Sequence, residues 1–390
     1  MSRLQAFAWV VVLALALSDH ARAQEGSSRS TLRLDSTRRY SLGIEDLSYK
    51  FLMAGMTVSE GQLDDAVDAE FSVNLRMDYR LAKWIKLRFE PRAEFHSSRV
   101  QEVLESDEYQ TRLRLDNAYV SIKPIQHIEL QAGALRQAVL DTPLVVSRRR
   151  TFPGLRELVS SEDQWPVRVE LMAQQLVPTS QSLNDERDAL EKLPQFRTEQ
   201  LKVSAKHKLI EWEAFGGHYA WTDIPSVVAI DSIKQGNSPL GAPGGAVAGT
   251  RLRYGFDGLF WGASACACGE GPVHLGVEYW GMHNNQAPDR SGDAQMWAIA
   301  PRLILGSREF ELKYYNYFIE PDSTVAKYAR RTTGFTNRLG DVVEASVNFK
   351  DQGFKVVGQF VGAAPVQDMG NSQRDLTQYS IWVETDYASF

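Results

Sequence analysis

The sequence is poor in the residues on which several large protein classes depend. It has only two cysteines, Cys266 and Cys268 in "SACACGE", so a disulfide framework does not hold the chain together. Side chains two positions apart on a strand point the same way at roughly 7 Å, and we therefore expect two small strand residues with no bond between them. The seven histidines are scattered along the chain. None of the motifs G-x-S-x-G, H-E-x-x-H, G-x-G-x-x-G or the P-loop occurs, so we expect no enzyme, no metal site and no cofactor.

Long apolar runs are missing once the first residues have passed. Residues 6–17 are apolar, and Ala21 and Ala23 follow them at the small-residue spacing of a cleavage site. This pattern predicts a signal peptide over residues 1–23, because a helix that spans a bilayer needs about 20 apolar residues. No later run approaches that length, and the mean hydropathy of -0.31 excludes a helical membrane protein. Residues 24–39 are expected to be a flexible N-terminal segment.

Neither sign of charge dominates the chain. Lys and Arg number 43 against 49 Asp and Glu, which gives a net charge of -6. Proteins that bind nucleic acid usually carry a positive surface, so nucleic acid is not an expected partner. Because the two signs nearly balance, the position of each charge decides more than their sum.

What the sequence has in abundance is alternation of apolar and polar residues. In "IKLRFEPRAEF", residues 85–95, the odd positions are apolar and the even positions are all charged. Period two is the side-chain period of a β-strand, and similar runs recur in "EFSVNLRMDYRL", "VHLGVEYWG", "VEASVNFK" and "YSIWVETDY". Runs of about 9–13 residues are longer than most soluble strands and fit a tilted crossing of a bilayer. We expect Pro91 to lie at a bulge, where its missing donor is tolerated.

These runs predict an all-β fold, a transmembrane antiparallel β-barrel over residues 40–390 with about 16 strands (14–18), since a sheet in lipid must close on itself. A strand is predicted at residues 247–256, and residues 138–166 are predicted to form one long loop. Residues 177–195 and 222–245 then fall on the side of the short turns, so either strands are missed or these are unusual periplasmic loops. An aromatic girdle at the membrane surface is expected to include Tyr314, Tyr315, Tyr317 and Phe318.

The C-terminus carries a resemblance to a known family. The chain ends on Phe390 after the alternating run "YSIWVETDY", and in this it resembles a Gram-negative outer-membrane β-barrel of the porin type. Tyr387 is fourth from the end, where the family has an aromatic third from the end, and a bulge would restore the parity. The stretch "ELQAGALRQAVLDTPLVVSRRRTFPGLREL" is similar to the part of phosphate-selective porins in which a loop folds into the lumen. The resemblance implies export to the outer membrane of a Gram-negative bacterium.

Arginines are concentrated in the early strands and in the predicted loop. Guanidinium groups are always charged and bind anions through two hydrogen bonds, so an arginine wall in a pore would favour anionic solutes. Acidic residues on the same strands leave a second interpretation, facing rows of opposite charge with weak net selectivity. A third is that "RRR" at 148–150 is a solvated or lipopolysaccharide-facing patch. The candidates for pore lining or constriction are Arg76, Arg80, Lys86, Arg88, Glu90, Arg92, Glu94, Arg112, Arg114, Arg136, Arg148, Arg149, Arg150 and Arg156.

The predicted function is passive diffusion of small hydrophilic solutes, anions among them, through an outer-membrane channel. One alternative is an exporter of an acidic polysaccharide that works with periplasmic partners, with docking surfaces around Glu186 and Val228. Another is a plugged structural or adhesive barrel whose function lies in the external loops. The expected partners are outer-membrane lipid, lipopolysaccharide, small solutes and, in a homotrimer, further copies of the chain.

Overall fold

The chain folds into one antiparallel sheet that closes on itself. The computed structural model describes residues 43–60, 66–99, 111–161, 167–178, 192–207, 209–240, 250–269, 271–369 and 373–389. Each strand pairs with the next one in sequence, and β16 returns to pair with β1. The strands are β1 (Gly43–Glu60), β2 (Ala66–Ala82), β3 (Ile85–Arg99), β4 (Arg112–Ile125), β5 (Ile128–Arg136), β6 (Thr151–Ser160), β7 (Val167–Leu176), β8 (Gln195–Lys206), β9 (Ile210–Thr222), β10 (Phe256–Ala267), β11 (Val273–Asn284), β12 (Asp293–Leu305), β13 (Arg308–Ile319), β14 (Arg338–Phe349), β15 (Phe354–Pro365) and β16 (Leu376–Thr385, continued by Ala388–Ser389). The prediction of a closed all-β barrel is confirmed.

Within the described ranges, helical structure is confined to the loops. The helix α1 spans Ser226–Lys234, and single turns of 3-10 helix lie at Gln137–Val139, Ala326–Tyr328 and Arg331–Thr333. Among the residues that the structure describes, no helix combines the length and the apolar character that crossing a membrane requires.

The two faces of the sheet differ as the alternation predicts. Phe89 and Phe95 are 42% and 50% exposed on the outer face, whereas Glu90 and Glu94 are each 4% exposed on the inner face. The pairing of β3 with β4 shifts its register between Glu90 and Pro91, which confirms the bulge expected at the proline. The charges of this stretch therefore avoid the face that would meet hydrocarbon, where a lysine or arginine would cost about 2–4 kcal/mol.

Connections of two different lengths separate the two rims of the barrel. Along one rim, which we call the short-turn rim, tight turns such as residues 83–84 and 306–307 join the strands. Along the other, the long-loop rim, the connections include residues 137–150, 223–255 and 320–337. This division into short turns and long loops is typical of outer-membrane barrels.

Two errors in the predicted strands cancel in the count. The sequence predicts a loop through β6, because Pro153 and Gly154 usually mark turns. Gly154 instead lies within β6 at a point where the backbones of β6 and β7 come close together. A Cβ at this position would collide with the carbonyl oxygen of Gln175. The strand predicted at residues 247–256 is also wrong, since residues 250–255 form a loop and β10 begins at Phe256.

Correcting both errors removes a conflict in the sequence interpretation. Residues 177–195 and 222–245 each begin and end at the long-loop rim, between β7 and β8 and between β9 and β10. The missed strand β6 had shifted both segments to the wrong rim. No unusual periplasmic loop is therefore needed to explain them.

The two cysteines are bonded to each other, contrary to expectation. Cys266 and Cys268 form a disulfide, with their Cα atoms 5.3 Å apart. Strand β10 ends at Ala267, so Cys268 lies just beyond it. The spacing of about 7 Å between alternate Cα atoms of an extended strand therefore does not apply to this pair.

Only half of the aromatic cluster on β13 faces outward, where an aromatic girdle would lie. Tyr315 and Tyr317 point into the barrel and are buried, while Tyr314 and Phe318 alternate with them on the outer face. Successive side chains of a strand point to opposite faces, so neighbouring tyrosines cannot all lie at the membrane surface.

The last strand contains one extra residue. Its pairing with β1 shifts by one residue between Glu384 and Ala388, which is the bulge that the C-terminal pattern requires. The shift turns Tyr387 inward, where its ring centroid lies 3.8 Å from the guanidinium carbon of Arg76. The predictions that fall outside the described residues are the signal peptide, the segment 24–39 and Phe390.

Candidate functional site

The lumenal face of β1–β5 is lined with ion pairs, and we call it the charged wall. Asp78 accepts two hydrogen bonds from Arg88, at 2.7 and 2.8 Å, and lies 2.7 Å from Lys86 Nζ. Glu90 accepts a hydrogen bond of 2.9 Å from Arg76 Nε. The pair of parallel bonds between Arg88 and Asp78 is the strongest and most directional form of such contacts. The Arg76 and Arg88 side chains are each 30% exposed inside the barrel, so solvent reaches this wall.

A second cluster surrounds Arg92 on β3. One Nη atom of Arg92 lies 2.5 Å from Glu70 Oε1, and its Nε lies 2.9 Å from Glu94 Oε1. Glu94 in turn lies 3.0 Å from Arg112 and 3.3 Å from Arg114. Adjacent strands thus contribute opposite charges, and the result is a network with both signs throughout.

The bulge on β4 completes this network. Asp116 is the extra residue in the register between β3 and β4, and its carboxylate lies 2.8 Å from Arg114 and 3.5 Å from Arg136. Arg80 pairs with Glu45 in the same way. Every candidate arginine or lysine on β2–β5 therefore has a carboxylate partner. These contacts fit facing rows of opposite charge and do not fit a wall of one sign.

Residues 137–150, which we call the inner loop, enter the barrel between β5 and β6. Asp141 of this loop lies 3.1 Å from Lys202 Nζ and accepts a 2.6 Å hydrogen bond from Gln200 Nε2, both on β8. The indole Nε1 of Trp280 donates to the carbonyl oxygen of Asp141 at 3.1 Å. Burial raises the pKa of Asp141, while the positive charge of Lys202 opposes that shift. The inner loop is thus fastened to the inner faces of β8 and β11.

An aromatic core packs inside the barrel beneath the long-loop rim. Tyr328 of loop 320–337 stacks on Trp221 with ring centroids 5.0 Å apart, and it meets Phe152 edge-on at 5.4 Å. Phe196 stacks on the other side of Trp221 at 4.0 Å. All four rings are buried, and aromatic pairs of this kind add about 0.5–1.5 kcal/mol each to the burial itself.

Hydrogen bonds join three loops into one body within the barrel, which we call the three-loop plug. It consists of the inner loop and the described parts of loops 223–255 and 320–337. Asp322 accepts hydrogen bonds from the Ser238 backbone N–H at 2.9 Å and from its hydroxyl at 2.5 Å. Thr324 donates to the carbonyl oxygen of Val145 at 2.8 Å. Burial raises the pKa of Asp322, although the bonds from Ser238 act in the opposite direction.

The three consecutive arginines of the inner loop have different surroundings. Arg148 and Arg149 are exposed, whereas Arg150 donates a hydrogen bond to the carbonyl oxygen of Lys327 within the plug. Arg149 interacts electrostatically with Glu70 and Glu94 of the charged wall. Arg136 Nε of the charged wall donates to the carbonyl oxygen of Arg148 at 3.1 Å, so Arg148 and Arg149 lie on the side of the plug that faces this wall.

Arg156 on β6 lies beneath the inner loop and is 5% exposed. It donates hydrogen bonds to Gln174 Oε1 at 3.0 Å, to Gln131 Oε1 at 3.1 Å and to the carbonyl oxygen of Arg136 at 2.8 Å. Among the described residues, no carboxylate lies within ion-pair distance of it. Its positive charge is thus held by neutral oxygens alone.

Comparison with known proteins identifies the fold. No family model and no curated protein matches the sequence. Among solved structures, the chain is similar to Pseudomonas putida OprB, with a TM-score of 0.57, 10% identity and coverage of 88% of this chain and 94% of that one. It is also similar to Acinetobacter baumannii OccAB1, with a TM-score of 0.52, 12% identity and coverage of 90% and 98%. A loop-deletion mutant of OmpT, an outer membrane protein of Vibrio cholerae, gives a TM-score of 0.52 at 9% identity, with coverage of 88% and 99%.

The chain has the porin-type barrel fold. The resemblance predicted from the sequence is confirmed at this level. Structural similarity at 9–12% sequence identity establishes the fold. It does not identify the solute, because one fold can carry many functions.

Within this porin-type barrel, the sequence locates the charged wall and misses the plug. The arginines predicted on β2–β5 share one face, and their role in solute passage stays a prediction. The anchor of the inner loop, formed by Asp141 and Lys202, was not predicted. The docking surface around Val228 stays a prediction, although Val228 itself is 1% exposed and packs inside the plug on α1. Glu186 lies outside the described residues.

Proposed function

We propose that the protein is a porin-like channel in the outer membrane of a Gram-negative bacterium, through which small hydrophilic solutes diffuse with a preference for anions. The route lies between the charged wall and the three-loop plug. One observation carries the preference: Arg148 and Arg149 are exposed on the plug and have no ion pair among the described residues, whereas the cations of the wall are paired.

The paired charges of the wall contribute little to net selectivity. A guanidinium beside a carboxylate presents a dipole to a passing ion, and the effects of the two charges largely cancel. Arg148 and Arg149 add fixed positive charge opposite that wall, and Arg156 adds more beneath the inner loop. Screening acts over about 8 Å at physiological ionic strength, so unpaired charges beside a narrow passage act across its whole width.

The apolar outer face supports the membrane location. Large apolar side chains such as Leu113, Leu155 and Leu312 are 78%, 61% and 50% exposed, which is the behaviour of a surface covered by lipid. Lipopolysaccharide would surround the long-loop rim in this orientation. Diffusion of solutes requires no covalent chemistry, so the proposal includes no enzyme activity.

The proposal is tested by recording from the purified full chain in planar bilayers under a KCl gradient. We expect steady open channels whose reversal potential is shifted from zero towards the equilibrium potential of chloride. The double variant Arg148→Ala/Arg149→Ala should move that potential towards zero. The control, Arg308→Ala/Lys350→Ala, removes the same charge at the short-turn rim and should leave it unchanged.

Two outcomes would overturn the proposal. Equal reversal potentials in both double variants would show that the inner loop does not set selectivity. A complete lack of conductance would favour a plugged structural barrel, a second candidate that the buried core around Tyr328 and Trp221 supports.

A further inference from the structure

The disulfide between Cys266 and Cys268 lies at the mouth of the lumen on the short-turn rim. Cys266 is on β10, an even number of residues after Phe260 and Gly262, which are buried on the inner face of this strand, so its side chain also points inward. Cys268 follows just beyond the end of the strand. Both cysteines are half-buried, so the solution in the mouth reaches this pair.

The backbone around the two cysteines is held without the disulfide. Cys266 pairs with Glu211 of β9 and with Gly276 of β11. The N–H of Cys268 donates to the carbonyl oxygen of Leu209 at 3.0 Å. The constraint that a disulfide places on the unfolded chain grows with the length of the segment it closes. Because a single residue separates the two cysteines, the bond adds little to the stability of the barrel.

A gap among the inward side chains lies next to Cys266. Residues opposite each other in an antiparallel pair have Cβ atoms about 4.5–5.5 Å apart, and the residue opposite Cys266 on β11 is Gly276. A Cβ placed on Gly276 would meet Ala300 Cβ at 3.6 Å, an ordinary contact distance, so this position has room for a side chain and carries none. A small molecule in the lumen can therefore approach Cys266 from the side of β11.

A hydrogen-bond donor lies beside Cys268. The Nε2 atom of His274 is 3.1 Å from the carbonyl oxygens of Gly269 and Gly271. Since carbonyl oxygens only accept hydrogen bonds, this nitrogen carries a proton. Gly269 is the residue after Cys268, so His274 is held against the turn that Cys268 begins. A protonated histidine near a cysteine favours its thiolate.

The surroundings of Cys266 are less favourable to a thiolate. Its partner on β9 is Glu211, whose carboxylate forms an exposed ion pair with Lys206. A carboxylate disfavours a second negative charge beside it, and an exposed pair offsets that effect only in part. In thiol–disulfide exchange, the sulfur with the more stable thiolate leaves faster. Cys268 is therefore the better leaving group, and Cys266 is the sulfur open to attack.

We infer that the Cys266–Cys268 disulfide is a thiol–disulfide exchange site, which small hydrophilic thiols reach through the mouth on the short-turn rim. This inference goes beyond the proposed function and takes from it only the orientation, in which the short-turn rim opens to the periplasm. Disulfides form and persist in that compartment, so the bonded pair is the resting state. Exposed disulfides are the ones that exchange readily.

The exchange balances in two steps. A thiolate from solution attacks Sγ of Cys266 and forms a mixed disulfide, while the bond between the two cysteines breaks and Cys268 leaves as a thiolate that takes up a proton. A second thiolate then attacks the sulfur of the bound small thiol and releases Cys266, which takes up a proton in turn. Two small thiols are thereby oxidised to one disulfide, and the two cysteines receive the two electrons.

The test follows free thiols on the full chain in isolated outer membranes at neutral pH. The probe is reduced glutathione, and after an acid quench a maleimide linked to polyethylene glycol labels each free thiol and slows the chain in denaturing electrophoresis. The sequence has no cysteine besides these two, so two labels report reduction. We expect two labels per chain, formed at least as fast as glutathione reduces cystine in solution, in a barrel that keeps its heat-modifiable mobility. Two labels without glutathione, or none with glutathione until the barrel is unfolded, would overturn the inference.

A pair of matched variants tests the approach to Cys266. Gly276→Val places a branched side chain opposite Cys266 and should slow the exchange at least tenfold. Gly358→Val makes the same change on β15, where a Cβ meets nothing within 4 Å, and should exchange as the wild type does. Equal rates in two folded variants would overturn the route of attack.

The mixed disulfide gives a measurement that needs no folded variant. Wild-type membranes are quenched with acid soon after glutathione is added, and tandem mass spectrometry locates the glutathione on the peptide that contains both cysteines. We expect it on Cys266. Glutathione mainly on Cys268 would overturn the assignment of the leaving group.

These outcomes are distinct from a failure of the proposed function, because the labelling does not depend on conductance. A barrel that exchanges with glutathione and conducts no ions would keep this inference and refute the channel. A barrel that conducts and keeps its disulfide in glutathione would do the reverse.

Discussion

Lys202 Nζ on β8 lies 3.1 Å from Asp141 Oδ1 on the inner loop, so a strand of the barrel wall holds the loop that connects β5 with β6. The same ammonium lies 3.2 Å from Glu213. Both members of the pair are largely shielded from solvent. An interior ion pair loses much of its value when one partner is removed, because the other charge stays buried. The position of the inner loop therefore depends on this single lysine more than on any exposed contact.

Replacing Lys202 with methionine should loosen the inner loop. The variant keeps the aliphatic length of the side chain and removes the charge that holds Asp141. In single-channel recordings we expect a larger mean conductance and more open-channel noise than in the wild type.

The control for this prediction is Lys313→Met. Lys313 pairs with Glu278 at 2.6 Å and has a side-chain exposure of 17%, close to the 19% of Lys202, but it makes no ion pair with the inner loop. Lys313→Met should remove a charge from the lumen without increasing the open-channel noise. Indistinguishable noise in the two variants would refute the anchoring role of Lys202.

The network around Arg92 should be costly to break. Arg92→Met leaves Glu70 and Glu94 buried beside an apolar side chain, and breaking a buried pair in this way costs about 3–5 kcal/mol. Lys123→Met breaks an exposed pair with Glu129, in which Lys123 is 55% exposed, and should cost about 0–1 kcal/mol. Urea unfolding of the barrel in lipid vesicles measures both values. Similar losses in the two variants would contradict the buried network.

The sequence predicts the barrel well because its signal is repeated. Each crossing alternates independently, so the face assignment of residues 85–95 does not depend on an error elsewhere. The strand count is less secure, as β6 shows. Glycine usually marks a turn, but Gly154 instead permits a close backbone contact with β7. Only the neighbouring strand reveals that need, and the sequence does not identify that neighbour.

The candidate site divides in the same way. Arg88 and Asp78 lie on adjacent strands joined by a short turn, so alternation alone puts them on one face. Asp141 meets Lys202 about 60 residues later along the chain, a separation for which no local pattern exists. The plug was missed for a related reason, because loop 320–337 has a polar composition and its buried Tyr328 finds partners only in three dimensions.

The stability of the plug should depend on pH through Asp322. Burial raises the pKa of this carboxyl above its ordinary value, which is about 3.9, so the folded state binds a proton more tightly than the unfolded state. The contribution of Asp322 to stability is therefore greatest at low pH and is lost as the pH rises through the raised pKa. Asp322→Asn keeps an acceptor for the Ser238 N–H and removes the titration.

This dependence is tested by melting temperatures measured between about pH 4 and pH 8, where carboxyls with a raised pKa titrate. The difference between Asp322→Asn and the wild type should increase with pH in favour of the asparagine. The exposed Asp289 gives the control, since Asp289→Asn should follow the wild type throughout. A pH-independent difference for Asp322→Asn would refute the assignment.

Tyr328 should determine whether the three-loop plug stays closed. Its ring is 2% exposed and contacts both Trp221 and Phe152, and truncating a buried aromatic side chain to alanine costs about 3–5 kcal/mol. That loss falls on a loop that is covalently connected to the barrel only at its two ends, so we expect Tyr328→Ala to open the plug without unfolding the strands. Conductance should rise, and trypsin should cleave at Arg330 in a barrel that keeps its heat-modifiable mobility. Tyr328→Phe retains the ring and should behave as the wild type; if it opens the plug as well, the hydroxyl and not the stacking holds the loop in place.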